Sequence, residues 1–271
     1  MKFSKIIVLA ALSILAVSCG EKLDKGLVLH SDFERDANDL SKYHFDGLLR
    51  EDASISDDCA VGESSVYFNG ERAYVEYPSG KVYFNRNYSV SIWVKVEDSR
   101  PASRIFDFNQ VMPGAGNSVA LLIGPGDTPA GNDLWIEQWT HVDEYQTARN
   151  IIDVNEKPAQ ASVGYAGEVG EWNHYVLVYD SSARNSLGKV VNDKGQTVQY
   201  KGEATLYVNG RKAGSTAYCF QPENHPTVAN WLGKSRYQMD PMFKGWMDDL
   251  RIYNRCLSEK EIKALYQLGS E

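Results

Sequence analysis

Short runs in which apolar and polar residues alternate recur along most of this chain, and they constrain its fold more than any other feature. In the segment YSVSIWVKV, the residues Val90, Ile92, Val94 and Val96 share one face of an extended strand. Turn residues separate about a dozen such runs, which is typical of an all-β domain. No linker, low-complexity tract or internal repeat interrupts the pattern. The sequence therefore predicts one antiparallel β-sandwich.

Two Asn-Gly pairs, Asn69-Gly70 and Asn209-Gly210, each lie between two alternating runs. Asn and Gly tolerate the positive φ angles that a two-residue hairpin turn requires. We therefore expect a hairpin at each pair, the first of which joins Ser65–Asn69 to Ala73–Tyr77.

Helical periodicity occurs near the C-terminus. Ser258 is a good N-cap residue, and Glu261 follows it at the spacing of a capping box. Ile262, Leu265 and Tyr266 then form one apolar stripe. The pattern predicts a single short C-terminal helix.

The N-terminus has the features of a secretory signal. Lys2 and Lys5 precede the apolar run Ile6–Val17, whose 12 positions are fewer than the roughly 20 that span a bilayer. The run ends in LAVSCG, which resembles the bacterial lipobox and has Cys19 as its obligatory cysteine. That resemblance implies cleavage before Cys19 and acylation of its thiol and amino groups.

The lipobox resemblance divides the chain into three parts. We expect a signal peptide at 1–18, a lipidated Cys19 with a tether to residue 25, and a folded domain at 26–271. An ordinary signal peptide with a cysteine near its cleavage site is the alternative. Gly20 follows the anchor, which favours the outer membrane of a Gram-negative bacterium over retention at the inner membrane.

Charge and cysteine content restrict the partners. The chain has 28 basic and 36 acidic side chains, and loss of Lys2 and Lys5 with the signal leaves a net charge of −10. An acidic protein without a basic cluster is a poor candidate for binding nucleic acid. Cys59, Cys219 and Cys256 remain besides the anchor, and the sequence does not choose among their three possible pairings.

Several motifs resemble those of one family, and they occur in its order from about residue 26 to 268. The matching stretches are VYFNG at 66–70, SVSIWV at 89–94, EWNHYVLVYD at 171–180, TLYVNGR at 205–211 and FKGWMDDLRIYNRCLS at 243–258. They are similar to strands of laminin-G-like, concanavalin A-type domains. The resemblance implies an all-β, concanavalin A-like antiparallel β-sandwich (jelly roll) with one short C-terminal helix. This fold serves lectin modules, adhesive domains and glycan hydrolases, so it does not decide the function.

The hydrolases of this group use a strand that reads E-[I/L]-D-x-x-E, in which two carboxylates form a retaining pair. The nearest stretch here is Ile151–Glu156, where Asp153 and Glu156 fit loosely. The nucleophile position holds Ile151, which cannot form a glycosyl-enzyme intermediate. We therefore expect a protein without catalysis and keep a divergent glycoside hydrolase as the alternative.

Many sandwiches of this family hold a structural Ca²⁺ where the first strand meets the last. The carboxylates that would provide oxygen ligands here are Asp32, Glu34, Asp39 and Asp248. The alternative makes Asp39 a turn residue and Asp248 a hydrogen-bonded carboxylate at a strand end.

Sugars stack on Trp and Tyr rings, while polar side chains bind their hydroxyl groups. Two stretches combine these residue types. The candidate ligand-binding residues are Trp135, Trp139, His141 and Tyr145 in the first, and Trp231, Arg236 and Tyr237 in the second.

These expectations together describe a lipid-anchored protein of the bacterial cell envelope. Its jelly-roll domain is expected to bind carbohydrate or another extracellular ligand without catalysis. A divergent hydrolase and a protein-binding structural module of the envelope are the alternatives.

Overall fold

A computed structural model describes residues 23–100, 102–109, 118–123, 134–139, 169–183, 190–191, 197–198, 202–218 and 226–270. In this part of the chain there are sixteen strands and a C-terminal helix. The strands are β1 (Leu27–Ser31), β2 (Leu48–Arg50), β3 (Ser54–Ser56), β4 (Ser65–Asn69), β5 (Tyr74–Tyr77), β6 (Tyr88–Val96), β7 (Arg104–Asn109), β8 (Ser118–Ile123), β9 (Leu134–Trp139), β10 (Trp172–Asp180), β11 (Val190–Val191), β12 (Thr197–Val198), β13 (Gly202–Val208), β14 (Arg211–Tyr218), β15 (Ala229–Leu232) and β16 (Lys244–Tyr253), and the helix is α1 (Glu259–Gln267).

The strands form two antiparallel sheets and one small ribbon. Sheet A has eight strands in the order β14-β13-β10-β6-β16-β4-β3, and β1 pairs with the second half of β16. Sheet B has six strands in the order β2-β5-β15-β7-β8-β9. Strands β11 and β12 pair only with each other. The predicted all-β antiparallel sandwich is confirmed.

The main core lies between the sheets and follows from the alternation in the sequence. Val90, Ile92 and Val94 of β6 point into it from sheet A, and Phe106 and Phe108 of β7 meet them from sheet B. Each side chain that enters this core leaves its neighbours in sequence on the outer face of its sheet. The two outer faces can therefore carry different groups.

A second apolar cluster lies on the outer face of sheet A, beneath α1. Val176 and Val178 of β10 pack there with Ile262 and Leu265 of the helix, and Leu23 at the start of the described chain joins them. The predicted capping box is present, because the Ser258 side chain accepts from the Glu261 amide and the Glu261 side chain accepts from the Ser258 amide. The helix thus covers one face of the sandwich.

The hairpins predicted at the two Asn-Gly pairs have different outcomes. At Asn209-Gly210 both residues have positive φ, and β13 and β14 pair as a hairpin, as predicted. The hairpin predicted at Asn69-Gly70 is wrong, because β4 belongs to sheet A and β5 to sheet B. The Asn69 Oδ1 atom accepts hydrogen bonds from the amides of residues 71, 72 and 73, so this turn passes the chain from one sheet to the other.

Several other predictions concern the ends and loops. The signal segment and Cys19 lie outside the described residues. Within the described residues, Cys59 and Cys256 are free thiols, and Cys219 lies outside these residues. Within the described ranges, none of the helices has the length and apolar character needed to cross a membrane.

Candidate functional site

The outer face of sheet B carries a row of residues that runs across five strands. Pairing aligns Glu76 of β5 with Trp231 of β15, and Trp231 with Asp107 of β7. The same row continues through Ala120 of β8 to Glu137 of β9. Because neighbouring strands are about 4.8 Å apart, the row spans about 19 Å. This length is comparable to that of a short oligosaccharide.

The local sequence of β7 explains why polar groups line this face. In Arg104–Asn109, Phe106 and Phe108 enter the main core, so Asp107 and Asn109 must lie on the other side. Both polar residues are nevertheless about 1% exposed. A carboxylate and an amide are therefore held in a shielded position on the outer face.

Two arginines flank the Asp107 carboxylate. The Arg236 backbone amide donates to Asp107 Oδ2 at 3.0 Å, and Arg104 Nε lies 3.8 Å from the same oxygen. The Arg236 guanidinium donates to Asn109 Oδ1 at 2.9 Å, and Arg104 Nη1 lies 3.1 Å from Asp240 Oδ2. Burial raises the pKa of Asp107, and the two arginines and the nearby Asn109 side chain offset only part of that rise.

Three buried polar atoms on this face have no hydrogen bond within the described part of the chain. They are Asp107 Oδ1, Asn109 Nδ2 and Trp231 Nε1. A buried polar atom without a partner costs about 1–3 kcal/mol, so native structures usually pair such atoms. Asp107 and Trp231 are register partners on neighbouring strands. These three atoms therefore keep hydrogen-bonding capacity that the described contacts do not use.

Aromatic rings lie next to these atoms. The Tyr74 and Trp231 rings meet edge to face with centroids 6.4 Å apart, and Lys234 Nζ lies 4.0 Å and 4.6 Å from their centroids. The Tyr237 ring is half-buried, and its hydroxyl accepts from Arg236 Nη2 at 2.9 Å. We call Tyr74, Asp107, Asn109, Trp231 and Tyr237 the sheet B site.

The structure brings part of the predicted binding residues together. Trp231, Arg236 and Tyr237 all contribute to the sheet B site or contact it. Trp139 is aligned with Asn109, and Trp135 with Arg104, through strand β8 between them. The two predicted stretches therefore belong to one sheet, although only the backbone register of β9 is described. His141 and Tyr145 lie outside the described residues, as does the stretch Ile151–Glu156.

Asp107, Asn109 and Tyr74 are not among the binding residues predicted from the sequence. The signal for the first two was present, because they alternate with Phe106 and Phe108. An Asp and an Asn on a strand face are also common at solvent-exposed positions, and nothing in the sequence showed that these two would be shielded.

Each of the four predicted calcium ligands accepts hydrogen bonds from its own set of backbone amides. The Asp39 carboxylate accepts from the amides of His30, Ser41 and Phe45. Asp248 Oδ2 accepts from the amides of Ala60 and Val61, both at 2.9 Å.

The other two acidic residues bond to nearby amides. Asp32 accepts from the Glu34 amide, and Glu34 accepts from the Glu63 amide. Burial raises the pKa of Asp248 to about 7, against the effect of its backbone donors. Among the described residues, no group of three or more His, Cys, Asp or Glu side chains is placed to hold a metal. The contacts favour the turn and strand-end roles, and calcium binding stays a prediction.

Comparison with known families gives a match over most of the chain. A family model described as the concanavalin A-like lectin/glucanases superfamily, of the laminin G type, matches residues 69–263. No curated protein matches the sequence.

Solved structures show the same fold at low sequence identity. Domain 4 of AbnA, a GH43 extracellular arabinanase from Geobacillus stearothermophilus in complex with arabinotriose, is 20% identical with a TM-score of 0.64. The match covers 89% of this chain and 98% of that domain. The binding domain of Paraclostridial Mosquitocidal Protein 1 is 18% identical with a TM-score of 0.57, over 90% of this chain and 52% of that one. The botulinum neurotoxin serotype G binding domain is 14% identical with a TM-score of 0.60, over 89% and 51%. The chain thus spans about half the length of the two toxin domains.

Proposed function

Because the chain belongs to the concanavalin A-like lectin/glucanase superfamily, we propose that it is a carbohydrate-binding protein of the cell envelope that acts without catalysis. Its binding face is the outer face of sheet B. The sheet B site provides the contacts, and strand β9 extends the same sheet beyond it.

One observation carries this proposal: three buried polar atoms without partners lie beside an aromatic pair on one sheet face. Asp107 Oδ1 accepts hydrogen bonds, whereas Asn109 Nδ2 and Trp231 Nε1 donate them. A sugar hydroxyl both donates and accepts, so adjacent hydroxyls can bond all three atoms. The C–H face of the sugar can contact an aromatic ring.

The charges of the site favour a neutral sugar. Arg104 and Arg236 are positive, but Asp107 and Asp240 lie beside them within about 4 Å. A carboxylated or sulfated sugar would meet Asp107 directly, and like charges at that distance repel. The solved complex of AbnA domain 4 with arabinotriose supports a short neutral oligosaccharide as a first ligand to test.

The test is a glycan array probed with the mature lipoprotein in detergent micelles, followed by calorimetry with each positive sugar and with arabinotriose. We expect binding of at least one neutral oligosaccharide, which Asp107→Asn weakens about tenfold through loss of a charge-assisted hydrogen bond. Asp98→Asn changes an exposed carboxylate on the rim of sheet A and should leave the affinity unchanged. An array without positive sugars, together with a stoichiometric protein partner from envelope extract, would replace this proposal with a protein-binding module.

The envelope location rests on the lipobox at Cys19. We expect the mature N-terminal peptide to have the mass of an acylated cysteine and the protein to sediment with membranes. Cys19→Ser should release the protein into the soluble fraction. Two or three acyl chains on one residue are sufficient for stable anchoring without a spanning helix.

A glycoside hydrolase is the second candidate, because Asp107 shares a register row with the carboxylate of Glu76 and its raised pKa is a property of general acids in such enzymes. The mechanism needs a second carboxylate on the same face. Mass spectrometry of the sugars recovered from the binding experiment separates the two candidates. Intact sugars support binding alone, and fragments that disappear with Asp107→Asn support hydrolysis.

A further inference from the structure

Two exposed apolar side chains lie in one loop near the start of the domain. In Leu40-Ser41-Lys42-Tyr43, which we call the 40–43 loop, Leu40 is 56% exposed and Tyr43 is 41% exposed. Lys42 Nζ lies 5.1 Å from the centroid of the Tyr43 ring. The loop lines a cavity of about 340 Å³ together with Asp24 and Leu27, so it lies next to the first described residues of the chain.

The loop is held firmly although its side chains are exposed. The Leu40 amide donates to the His30 carbonyl at 2.7 Å, and the Ser41 hydroxyl donates to the Val28 carbonyl at 3.0 Å. The Asp39 carboxylate accepts from the amides of Ser41 and Phe45, both at 2.8 Å. Bonds to β1 and to its own ends therefore fix the loop with Leu40 and Tyr43 facing outward.

The anchor is close to this loop in the chain. Leu23 is buried beneath α1, only 5% exposed, so the domain holds the chain from this residue onward. Cys19 precedes Leu23 by four residues, which span at most about 14 Å when fully extended. A domain attached this closely cannot turn freely above a bilayer. The surface around residues 23–27 must lie near the headgroups.

We propose that the 40–43 loop is a membrane-contacting element that rests on the phospholipid surface into which Cys19 is anchored. The inference depends on the lipid anchor of the proposed function and not on sugar binding. Leu40 enters the boundary between headgroups and acyl chains, Tyr43 places its ring at the headgroup level, and Lys42 meets the lipid phosphates. Leu, Tyr and Lys are residue types that suit such an interface.

The test uses the lipidated protein in liposomes that contain a phospholipid with a photoactivatable diazirine group. Peptide mass spectrometry after illumination locates the lipid adducts. We expect adducts on the 40–43 loop at a yield severalfold above that on β14, which lies five strand positions from β1 in sheet A, or about 24 Å. Equal yields on the loop and on β14 would overturn the inference.

Two variants and one control substitution make the test specific. Leu40→Ser combined with Tyr43→Ser should lower the adduct yield on the loop severalfold, whereas Val228→Ser removes an exposed side chain just before β15 and should not. Insertion of twenty Gly and Ser residues after Gly20 should also lower the yield, because the domain can then leave the surface. An unchanged yield on the loop in the Leu40 and Tyr43 double variant, or in the insertion variant, would overturn the inference.

The same samples separate this inference from the proposed function. If Cys19 carries no acyl chain, the anchor and the inference both fail, while sugar binding in detergent is unaffected. If Cys19 is acylated and the adducts lie elsewhere, only the inference fails.

Discussion

Two buried aspartates beside arginines show how the two sheets of this protein differ. In sheet A, Arg251 Nε lies 3.0 Å from both carboxylate oxygens of Asp249, and His30 Nε2 lies 2.8 Å from Oδ1. Burial raises the pKa of Asp249, but Arg251 and His30 outweigh it and lower the value to about 2. This carboxylate is charged and fully paired.

In sheet B, Asp107 is as deeply buried but less completely paired. One of its oxygens has no hydrogen bond in the described part of the chain, and its nearest guanidinium nitrogen, on Arg104, is 3.8 Å away. Its pKa is raised where that of Asp249 is lowered. The difference indicates that Asp249 serves the fold, while Asp107 keeps part of its hydrogen-bonding capacity for a ligand.

The largest effect should follow from breaking the complete pair. Arg251→Met leaves Asp249 charged and buried without its main partner, and such a change typically costs about 3–5 kcal/mol of the free energy of unfolding. Urea unfolding at pH 7 measures this loss. The double variant Arg251→Met with Asp249→Asn should recover most of it, because no unpaired charge remains and Asn tolerates the positive φ of this position.

Replacing each aspartate by asparagine sharpens the comparison. Asp249→Asn leaves Arg251 without its counter-charge and should cost about 3 kcal/mol. Asp107→Asn should change the free energy of unfolding by less than about 1 kcal/mol, because Arg104 keeps Asp240 and Arg236 keeps Asn109 as partners. Sugar affinity should fall in Asp107→Asn and stay unchanged in Asp249→Asn. Equal stability losses would contradict the division of roles.

A pH effect tests the sheet A side of the comparison. His174 is buried against Trp93 and Tyr266, and burial lowers its pKa to about 3, with Asp249 opposing and Arg251 reinforcing the shift. A histidine with a lowered folded pKa contributes stability above its unfolded pKa of about 6.5 and loses it as the pH falls toward 3.

The expected loss at pH 5 is about 2 kcal/mol relative to neutral pH. Because the buried Asp248 titrates over the same range with the opposite sign, the useful quantity is a difference between proteins. His174→Gln should be about 2 kcal/mol less acid-sensitive than the wild type between pH 7 and pH 5. Parallel pH curves for the two proteins would contradict the assignment.

The fold was largely predictable from local pattern, and its one clear error is instructive. The alternation in β6 and the capping box at Ser258 each depend on neighbouring residues only, and both are confirmed. The turn at Asn69-Gly70 has the same dipeptide as the hairpin at Asn209-Gly210, but its strands join different sheets. The choice between hairpin and crossover depends on partners far along the chain, which a dipeptide does not encode.

The site was predictable in part. Trp231, Arg236 and Tyr237 were found because aromatic and polar residues cluster along a short stretch of sequence. Asp107 and Asn109 come into contact with them only through the pairing of β7 with β15, more than a hundred residues apart. The acidic residues near Asp39 looked like metal ligands, yet local amides already bond to the Asp39 carboxylate.

The smallest effect separates two indole groups that are alike in isolation. Trp93 Nε1 and Trp231 Nε1 are both buried without a hydrogen bond in the described part of the chain, but Trp93 is sealed beneath α1 against His174 and Tyr266. Trp231→Phe should lower sugar affinity about fivefold, which corresponds to one neutral hydrogen bond of about 1 kcal/mol.

Trp93→Phe is the matched control for this substitution. It should lower the free energy of unfolding by about 1–2 kcal/mol through the cavity that it leaves, and it should leave the affinity unchanged. Calorimetry and urea unfolding of both variants measure the two quantities. If both substitutions changed stability alone, an unpaired indole N–H would not mark a binding face in this protein, and the sheet B site would lose one of its three polar contacts. If Trp231→Phe changed affinity alone, the outer face of sheet B and the helix-covered face of sheet A would differ in function as they differ in structure.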